Sequence, residues 1–525
     1  MTNETLQTTM TALEAITSSP EAVRSSMVAH TVEATSSWIE RLSEIIDSVH
    51  GVVWGMPLIL SILLTGLLLT FVLRFRHLLN LRKAFVYMLR DSNHNGDVSQ
   101  FASLCTALSA TIGTGNIVGV ATAIGTGGPG ALFWMEIAAL LGMATKYAEG
   151  LLAIKYRRFT SEGTALGGPF YYIQDGLKGK FGIKSWKWLA VFFAISGLIV
   201  GSLGTGTIAQ VHGITSAVQR FFDPGFDPAN MATGVPLFGI TYSEPVVIAG
   251  ILVTVSVALV ILGGIKRIAA VSTIIVPFMA ILYVATIVLL LLGNISKVSA
   301  ALELIVKAAF NPSAFTGGVV GTVFIAMQKG VARGIFSNEA GLGSAPIAAA
   351  AARTNEPVQQ GLVCMLGTFI DTIIVCTMTG LAIVVTGAWE PSLGLEGVDI
   401  TIEAMSRGLS FLGPSSSKMA GLFLMVSLTF FAFTTILGWN YYAEKCLEYL
   451  IGSKRRYCIL IYRVFFISVV FIGPYLTISV VWGAADIFNA LMAFPNLLAL
   501  VLLSPVVGRV TKEYFKKREL LKKKV

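Results

Sequence analysis

The chain has 525 residues and a net charge of +9; 54% of its residues are hydrophobic and only 13% are charged, against roughly a quarter charged in an ordinary soluble domain. This composition excludes a soluble globular protein and indicates an integral membrane protein. Apolar runs such as 245–263 and 274–293 reach about 20 residues, enough for a helix to cross a hydrocarbon core of about 30 Å. Barrel strands are much shorter, so we expect an all-α polytopic membrane protein.

Hydropathy and turn signals predict eleven membrane-spanning helices. They lie at approximately 52–73, 101–125, 130–154, 187–218, 245–264, 268–293, 315–346, 359–388, 417–448, 457–482 and 485–508. Of the 38 Lys and Arg residues, 27 fall in the segments on one side of this arrangement and 7 on the other. Because basic residues concentrate on the cytoplasmic side, the N-terminus is predicted outside and the C-terminus inside a cell membrane.

Two predicted spans, the second and the seventh, carry glycine and polar residues at mid-depth, in the segments 109–116 and 330–341. Glycine weakens a helix, and unwound backbone is tolerated at membrane depth only where it lines a cavity inside the protein. Both spans are therefore candidate broken helices. The alternative is close helix packing through small residues.

The positions of these two spans indicate an inverted repeat. With the first span set aside, ten remain, and the two glycine-rich spans open the first and second groups of five. Five is odd, so the groups insert with opposite topology, as in secondary transporters that bind solute near the midplane. We predict one transmembrane transporter domain at 51–508, with repeats at about 101–293 and 315–508.

The two ends of the chain differ in charge. Residues 1–50 hold seven acidic residues against two basic ones and are predicted to form an extracytoplasmic tail. They lack a basic start followed by an apolar stretch, so no cleaved signal peptide is expected. Residues 509–525 are predicted to form a basic cytoplasmic tail in contact with anionic membrane lipids.

Broken helices bind ions through their exposed backbone ends: N–H groups at an N-terminus face an anion, and C=O groups at a C-terminus face a cation. The amides of Thr114 and Gly115 therefore suit a carboxylate, and carbonyls from Gly330 to Gly334 suit an ammonium group. Carbonyls near Ser109, Thr111 and Ile112 suit Na⁺. The predicted substrate-binding residues are Thr114, Gly115, Asn116, Gln210, Gly330, Gly334, Ser337 and Asn338.

Ionisable residues inside the membrane are costly and usually functional. The deepest are Glu136, Lys146, Glu149, Lys329, Arg333, Glu339 and Asp371. These residues either form structural or gating ion pairs or contact the substrate. The sequence does not show which of them pair with one another. Lys329 and Arg333 would be like charges on one helix face, so they require nearby carboxylates or a local break.

Read together, several long motifs resemble the alanine or glycine:cation symporter family, sodium-coupled carriers of small amino acids. The resemblance covers about residues 50–508 and rests on 110–117, 127–135, 167–173 and 334–341. It implies a LeuT-type fold of ten core helices in two inverted repeats, with broken first and sixth core helices and one extra helix at the front. It also implies that two adjacent hydroxyls of the eighth core helix, Thr434 and Thr435, join the carbonyls at the first break in binding sodium. At Glu136 this chain departs from the tryptophan that the family usually has.

The expected function is Na⁺-coupled symport of alanine and/or glycine by alternating access. An H⁺-coupled symporter and a channel are the alternatives, although no filter loop or repeated charged ring is present. An enzyme is not expected, because HExxH, GxSxG and GxxxxGK[ST] are absent and the five cysteines lack CxxC spacing. No resident cofactor and no nucleic-acid partner are expected, and the oligomeric state is not predicted.

Overall fold

The computed structural model describes residues 44–522 apart from 47, 91–94, 205, 228–233, 238–239, 311–321, 453–455 and 476–477. Most of the predicted acidic tail therefore lies outside the described residues. The described part is helical, with two short antiparallel hairpins. These pair β1 (Arg158–Phe159) with β2 (Ala165–Leu166), and β3 (Val235–Leu237) with β4 (Ile240–Tyr242).

The α-helices are numbered in chain order. They are α1 Met56–Leu73, α2 Arg76–Leu79, α3 Leu81–Leu89, α4 Gln100–Thr111, α5 Val120–Gly127, α6 Gly130–Lys155, α7 Pro169–Tyr171, α8 Lys187–Leu203, α9 Ile208–Phe222, α10 Glu244–Ile261, α11 Gly264–Gly293, α12 Ile295–Phe310, α13 Thr322–Asn338, α14 Ala345–Ala349, α15 Pro357–Thr368, α16 Thr377–Thr386, α17 Val398–Gly408, α18 Ser416–Ile451, α19 Arg456–Ile472 and α20 Ile478–Lys522. π-Helical turns at Gly115–Gly119 and Phe369–Cys376 continue into α5 and α16, and a third lies at Tyr172–Gly176.

Burial separates the central helices from the lipid-facing ones. In the most apolar stretch of α6, 83% of the residues are buried inside the protein, against 28% in α11. Helix α6 packs against α13, α15 and α1. Because α6 is central, its side chains can reach the break of a neighbouring helix, whereas α11 presents its apolar face to lipid.

Among the described residues, nine helices are long and apolar enough to span a membrane, or ten if a bent pair counts as one span. With the bent pair included, these helices correspond to ten of the eleven predicted spans. The remaining prediction, 315–346, includes α13, whose 17 residues are preceded by a segment outside the described set. The chain is thus a multi-pass membrane protein, and the count of eleven remains a prediction.

The first predicted break is confirmed. Helix α4 ends at Thr111, and the chain resumes at Gly115–Gly127 after a bend of 55°. Glycine is needed between the two halves, because a Cβ at Gly113 would lie 2.8 Å from the Thr435 hydroxyl oxygen.

In the second broken helix, the expectation of unwound backbone at Gly330–Gly334 is wrong. Helix α13 continues through both glycines to Asn338, and the chain unwinds one turn later, before α14. A Cβ at Gly330 would lie 2.1 Å from the Ala131 carbonyl oxygen, so this glycine lets α13 approach α6. Small-residue packing, the alternative interpretation, accounts for it.

The actual break spans residues 339–344. There Glu339 has φ +54°, Gly341 φ +90° and Gly343 φ +84°, left-handed values that end a right-handed helix. Both glycines adopt this conformation without the steric cost that a side chain would add. The described residues thus contain two interrupted helices, and their relation as an inverted repeat remains a prediction.

Candidate functional site

A cavity of about 320 Å³ lies between the outer half of the first broken helix and α9, α13, α17 and α18. This volume is at the lower end of the roughly 300–1,000 Å³ found for ligand pockets. Thr114 and Gly115 line it at the break, and Arg220 and Val398 line it at the ends of α9 and α17. An ion pair between Arg220 and Asp399 joins these two helix ends. This cavity, the vestibule, runs from the break toward the side predicted to be extracytoplasmic.

Three side chains organise the first break. The Asn116 Oδ1 atom accepts a hydrogen bond from the Gly113 amide at 3.0 Å, and Gln210 Nε2 donates to Thr114 Oγ1 at 3.3 Å. The predicted substrate residues Thr114, Asn116 and Gln210 are therefore brought together. Thr114 and Gly115 lie in the first turn of the outer half-helix, where backbone amides have no partner within the helix.

Asp371 links the two broken helices. Its buried carboxylate accepts hydrogen bonds from Asn116 Nδ2, Ser337 Oγ and Thr372 Oγ1, each at 2.8 Å. The sequence identified Asp371 as a deep ionisable residue without a partner, and the structure supplies the partners. The side-chain nitrogen of Asn338, Nδ2, donates to Thr372 Oγ1 at 3.1 Å. The predicted residues Asn116, Ser337 and Asn338 thus form one cluster.

Two predicted substrate residues, Gly330 and Gly334, do not join this cluster. A Cβ at Gly334 would lie 3.0 Å from the Met135 side chain, so Gly334, like Gly330, faces α6. Their carbonyls lie within continuous α13, where they accept hydrogen bonds from the following turn. The carbonyl groups that a helix end releases are instead those of the last turn of α13.

The two adjacent threonines of α18 converge on one backbone carbonyl. Thr434 Oγ1 lies 3.0 Å and Thr435 Oγ1 2.9 Å from the Phe431 carbonyl oxygen. Thr435 Oγ1 also lies 3.3 Å from the Ile112 carbonyl oxygen at the first break. Two hydroxyl and two carbonyl oxygens therefore lie close together between α18 and the break. The Phe431 carbonyl was missed in the sequence, although threonine hydroxyls in helices commonly bond the carbonyl three or four residues earlier.

The other predicted sodium residues lie in the last turns of α4. Ser109 Oγ donates to the Thr106 carbonyl at 2.7 Å, and Thr111 Oγ1 lies 3.4 Å from the Ala107 and Leu108 carbonyls. Their hydroxyls donate to carbonyls of their own helix, as those of Thr434 and Thr435 do, which leaves the hydroxyl lone pairs and the backbone carbonyls to face a cation. Within the described residues, no three His, Cys, Asp or Glu side chains are grouped to hold a metal ion. An ion bound here would depend on neutral oxygens.

Lys329 and Arg333 form no ion pair with any carboxylate in the part of the chain that the structure describes. Asp486 nevertheless lines a second cavity together with both residues, so one carboxylate lies nearby without forming an ion pair with either of them. The Arg333 guanidinium lies 5.8 Å from the centre of the Phe336 ring, and both residues line the vestibule. They add a positive charge and an aromatic surface above the first break.

The opposite, predicted cytoplasmic, side is closed by one arginine. The Arg157 guanidinium donates to the carbonyls of Ala352 at 2.7 Å, Asn95 at 3.1 Å and Ala350 at 3.2 Å, and also to that of Thr354. These carbonyls come from the segments before α4 and after α14. Arg157 thus ties the inner ends of both broken helices together.

Asp97 supports this closure. Its carboxylate accepts from the Ala165 amide at 3.3 Å, and its own amide donates to the Ala351 carbonyl at 2.8 Å. Burial lowers the pKa of Arg157 to about 10, and the charge of Asp97 opposes this change. Arg157 therefore stays cationic at neutral pH, and the closure persists there.

Replacing Arg157 by glutamine should loosen this closure. A hydrogen bond to a charged group contributes about 1.5–3 kcal/mol, so we expect the midpoint of thermal unfolding in detergent to fall by several degrees. The control is Arg158→Gln, because Arg158 pairs with Asp175 at an exposed position, where ion pairs contribute about 0–1 kcal/mol. Equal midpoints for the two variants would contradict the closure.

Residues 39–525 match the family described as the sodium:alanine symporter family. An uncharacterised transporter of Haemophilus influenzae is 50% identical over 481 residues, which cover 91% of this chain and 97% of that protein. The sodium/alanine symporter AgcS of Methanococcus maripaludis is 43% identical over 475 residues, which cover 90% of this chain and 96% of AgcS. The crystal structure of MhsT in complex with L-phenylalanine has a TM-score of 0.51 at 14% identity, covering 80% of this chain and 99% of the MhsT chain. The fold is shared with MhsT.

Proposed function

Because the chain belongs to the sodium:alanine symporter family, we propose that it is a Na⁺-coupled symporter that carries alanine and/or glycine by alternating access. Family membership makes it a multi-pass membrane transporter, and not an enzyme. The observation that carries the proposal is the contact of the Thr435 hydroxyl with the Ile112 carbonyl. It joins α18 to the first break directly below the vestibule.

The amino-acid carboxylate would bind the amides of Thr114 and Gly115, at the positive end of the outer half-helix. The ammonium group would bind carbonyls released at the end of α13, near Phe336 and Ser337. A Cβ at Gly115 would lie 3.3 Å from Ser337 Cα, so the two broken helices leave little room between them. This narrow spacing favours a small side chain on the solute.

The sodium ion would bind between α18 and the first break. Na⁺ is a hard cation that prefers oxygen ligands, and the hydroxyls of Thr434 and Thr435 with the carbonyls of Ile112 and Phe431 supply four oxygens. The nearby Asp371 carboxylate, buried and linked to Asn116, adds negative charge that favours a cation in this region. Sodium binding would order the break and so favour substrate binding.

The described conformation corresponds to an outward-facing state under the predicted topology. The vestibule reaches the ends of α9 and α17, and Arg157 closes the other side. Alternating access requires the reverse arrangement in the second state, with Arg157 released and the vestibule closed.

Uptake into proteoliposomes tests the function, with labelled alanine and glycine and with Na⁺ and pH gradients varied separately. We expect saturable accumulation driven by an inward Na⁺ gradient. Accumulation driven only by a pH gradient would replace sodium with protons as the coupling ion. Flux that does not saturate would indicate a channel and overturn the proposal.

The proposed topology places residues 1–50 outside and the C-terminus in the cytoplasm, as the distribution of basic residues indicates. We expect an impermeant thiol reagent applied to intact cells to label Ser19→Cys and not Lys516→Cys, each in a background without the native cysteines. Permeabilised cells should show labelling of both. The reverse pattern in intact cells would invert the topology.

A further inference from the structure

A separate group of polar side chains lies at the break of the second broken helix, on the side facing α6. Its centre is Glu149, whose side chain is fully buried, with 0% exposed. Glu149 Oε1 accepts hydrogen bonds from Asn496 Nδ2 at 2.7 Å and from the Gly341 amide at 3.2 Å. Asn496 also donates to the Gly341 carbonyl at 2.9 Å. Glu149 therefore holds the unwound backbone between α13 and α14.

The two oxygens of this carboxyl group are unequal. Among the described residues, no donor reaches Glu149 Oε2 with hydrogen-bond geometry, although Oε2 is buried. An ionised carboxylate spreads its charge over both oxygens and needs donors at both. A neutral acid instead carries an O–H at Oε2, which also finds no partner among the described residues, but an unpaired buried hydroxyl costs less than an unpaired buried charge.

The charges around Glu149 are also unbalanced. Lys146 on the same helix is the cation that acts on Glu149, Glu339 and Asp371. Within the described residues, Lys146 forms no ion pair. One buried cation thus faces three buried carboxyl groups, and buried charges require pairing or neutralisation.

The two other carboxyl groups differ from Glu149 in how their oxygens are bonded. Asp371 accepts from three side-chain donors, as described above, and Glu339 Oε2 accepts from Ser344 Oγ. The remaining titratable groups that face Glu149 from packed elements are Tyr172, Tyr442 of α18 and Cys364 of α15. The Tyr442 hydroxyl has no hydrogen-bond partner among the described residues either. Of the three carboxyl groups, Glu149 is the one with a buried oxygen that has no hydrogen-bond partner among the described residues.

We propose that Glu149 is a proton-binding site, with the proton on Oε2 in the described conformation, separate from the sodium site at Thr435. Protonation converts the carboxylate to a carboxylic acid and needs no other reactant. Because Oε1 binds the Gly341 amide, the bound proton is linked to the conformation of the second break. This inference does not depend on which solute is transported.

Infrared difference spectroscopy of the purified full-length protein tests the site, without substrate, at neutral pH. We expect the wild-type protein to show a C=O stretching band of a buried carboxylic acid that shifts in D₂O. Glu149→Gln, a neutral mimic of the acid, should lose this band. The matched control Glu339→Gln removes the neighbouring buried carboxyl group and should keep it. Each spectrum is recorded with and without Na⁺.

A second variant tests the assignment while keeping Glu149. Asn496→Leu removes the amide that donates to Oε1, and a lost hydrogen bond raises the frequency of a C=O stretch. We expect an upward shift of the band in Asn496→Leu and no shift in Glu339→Gln. The band shift in Asn496→Leu tests the assignment to Glu149 even if the Glu149→Gln variant does not fold.

Three outcomes would overturn the proposal. Absence of the band from the wild-type protein would mean that Glu149 is ionised. A band that persists in Glu149→Gln, or disappears in Glu339→Gln, would place the proton elsewhere. Loss of the band on adding Na⁺ would mean that the metal ion and the proton compete for Glu149, so that the site is not separate from sodium binding. None of these outcomes depends on uptake, so failure here is distinct from failure of the symport proposal.

Discussion

Gly115→Val is expected to abolish uptake while leaving membrane expression and folding intact. A Cβ at residue 115 would lie 3.3 Å from Ser337 Cα and 3.4 Å from a ring carbon of Phe336. These distances are at the limit of what neighbouring atoms accommodate, and the two further methyl groups of valine would enter the vestibule or push the broken helices apart. The variant should therefore lose the space that the solute occupies.

The size of this effect is measured as initial uptake in proteoliposomes, together with the elution profile in size-exclusion chromatography. Gly115→Ala should reduce uptake about tenfold, or ~1.4 kcal/mol of transition-state free energy. Gly119→Ala is the matched control, because Gly119 also lines the vestibule and a Cβ added there would have no neighbouring atom within 4 Å. Normal uptake by a folded Gly115→Val protein would remove Gly115 from the substrate site.

Thr434→Val/Thr435→Val is expected to raise the sodium concentration for half-maximal uptake about tenfold, because the two lost hydroxyl–ion contacts are together worth ~1.4 kcal/mol. Valine keeps the shape of threonine and removes the hydroxyl groups that converge on the Phe431 carbonyl. The cation would then keep only carbonyl ligands. Substrate contacts are unchanged, so uptake at saturating sodium should be reduced less than sodium affinity.

Separate variants divide the effect between the two hydroxyls. Thr435 contacts the Ile112 carbonyl, whereas Thr434 lies 3.8 Å from the Met279 sulfur, so Thr435→Val should have the larger effect. The control is Thr429→Val, because Thr429 bonds only the Met425 carbonyl of its own helix.

Calorimetry of substrate binding at low and high Na⁺ checks the same point. Thermodynamic linkage requires that a variant with weakened sodium binding also show a weaker effect of Na⁺ on substrate affinity. If the double variant kept the sodium dependence of the parent, the threonines would be packing residues, and the ion site would lie elsewhere.

The sequence by itself determined the features that depend on local composition. Apolar runs predicted the spanning helices, because each must bury its own backbone hydrogen bonds in lipid. The polar, glycine-rich segment at 109–116 predicted the first break, which the structure places after Thr111. The carbonyl of Ile112 and the hydroxyl of Thr435 were both named, and the structure brings them within 3.3 Å.

Only the tertiary structure decided which glycines break a helix and which let two helices approach. Gly330 and Gly341 belong to one glycine-rich segment, yet Gly330 faces the Ala131 carbonyl and Gly341 adopts φ +90° in the break. Composition cannot separate these roles, because a missing Cβ serves either one. The long-range pairs were likewise beyond prediction, since Asp371 meets Asn116 across 255 residues of sequence and Glu149 meets Asn496 across 347. Such partners are selected by the packing of distant elements, two π-helical turns for the first pair and α6 with α20 for the second, and the chain carries no local signal for them.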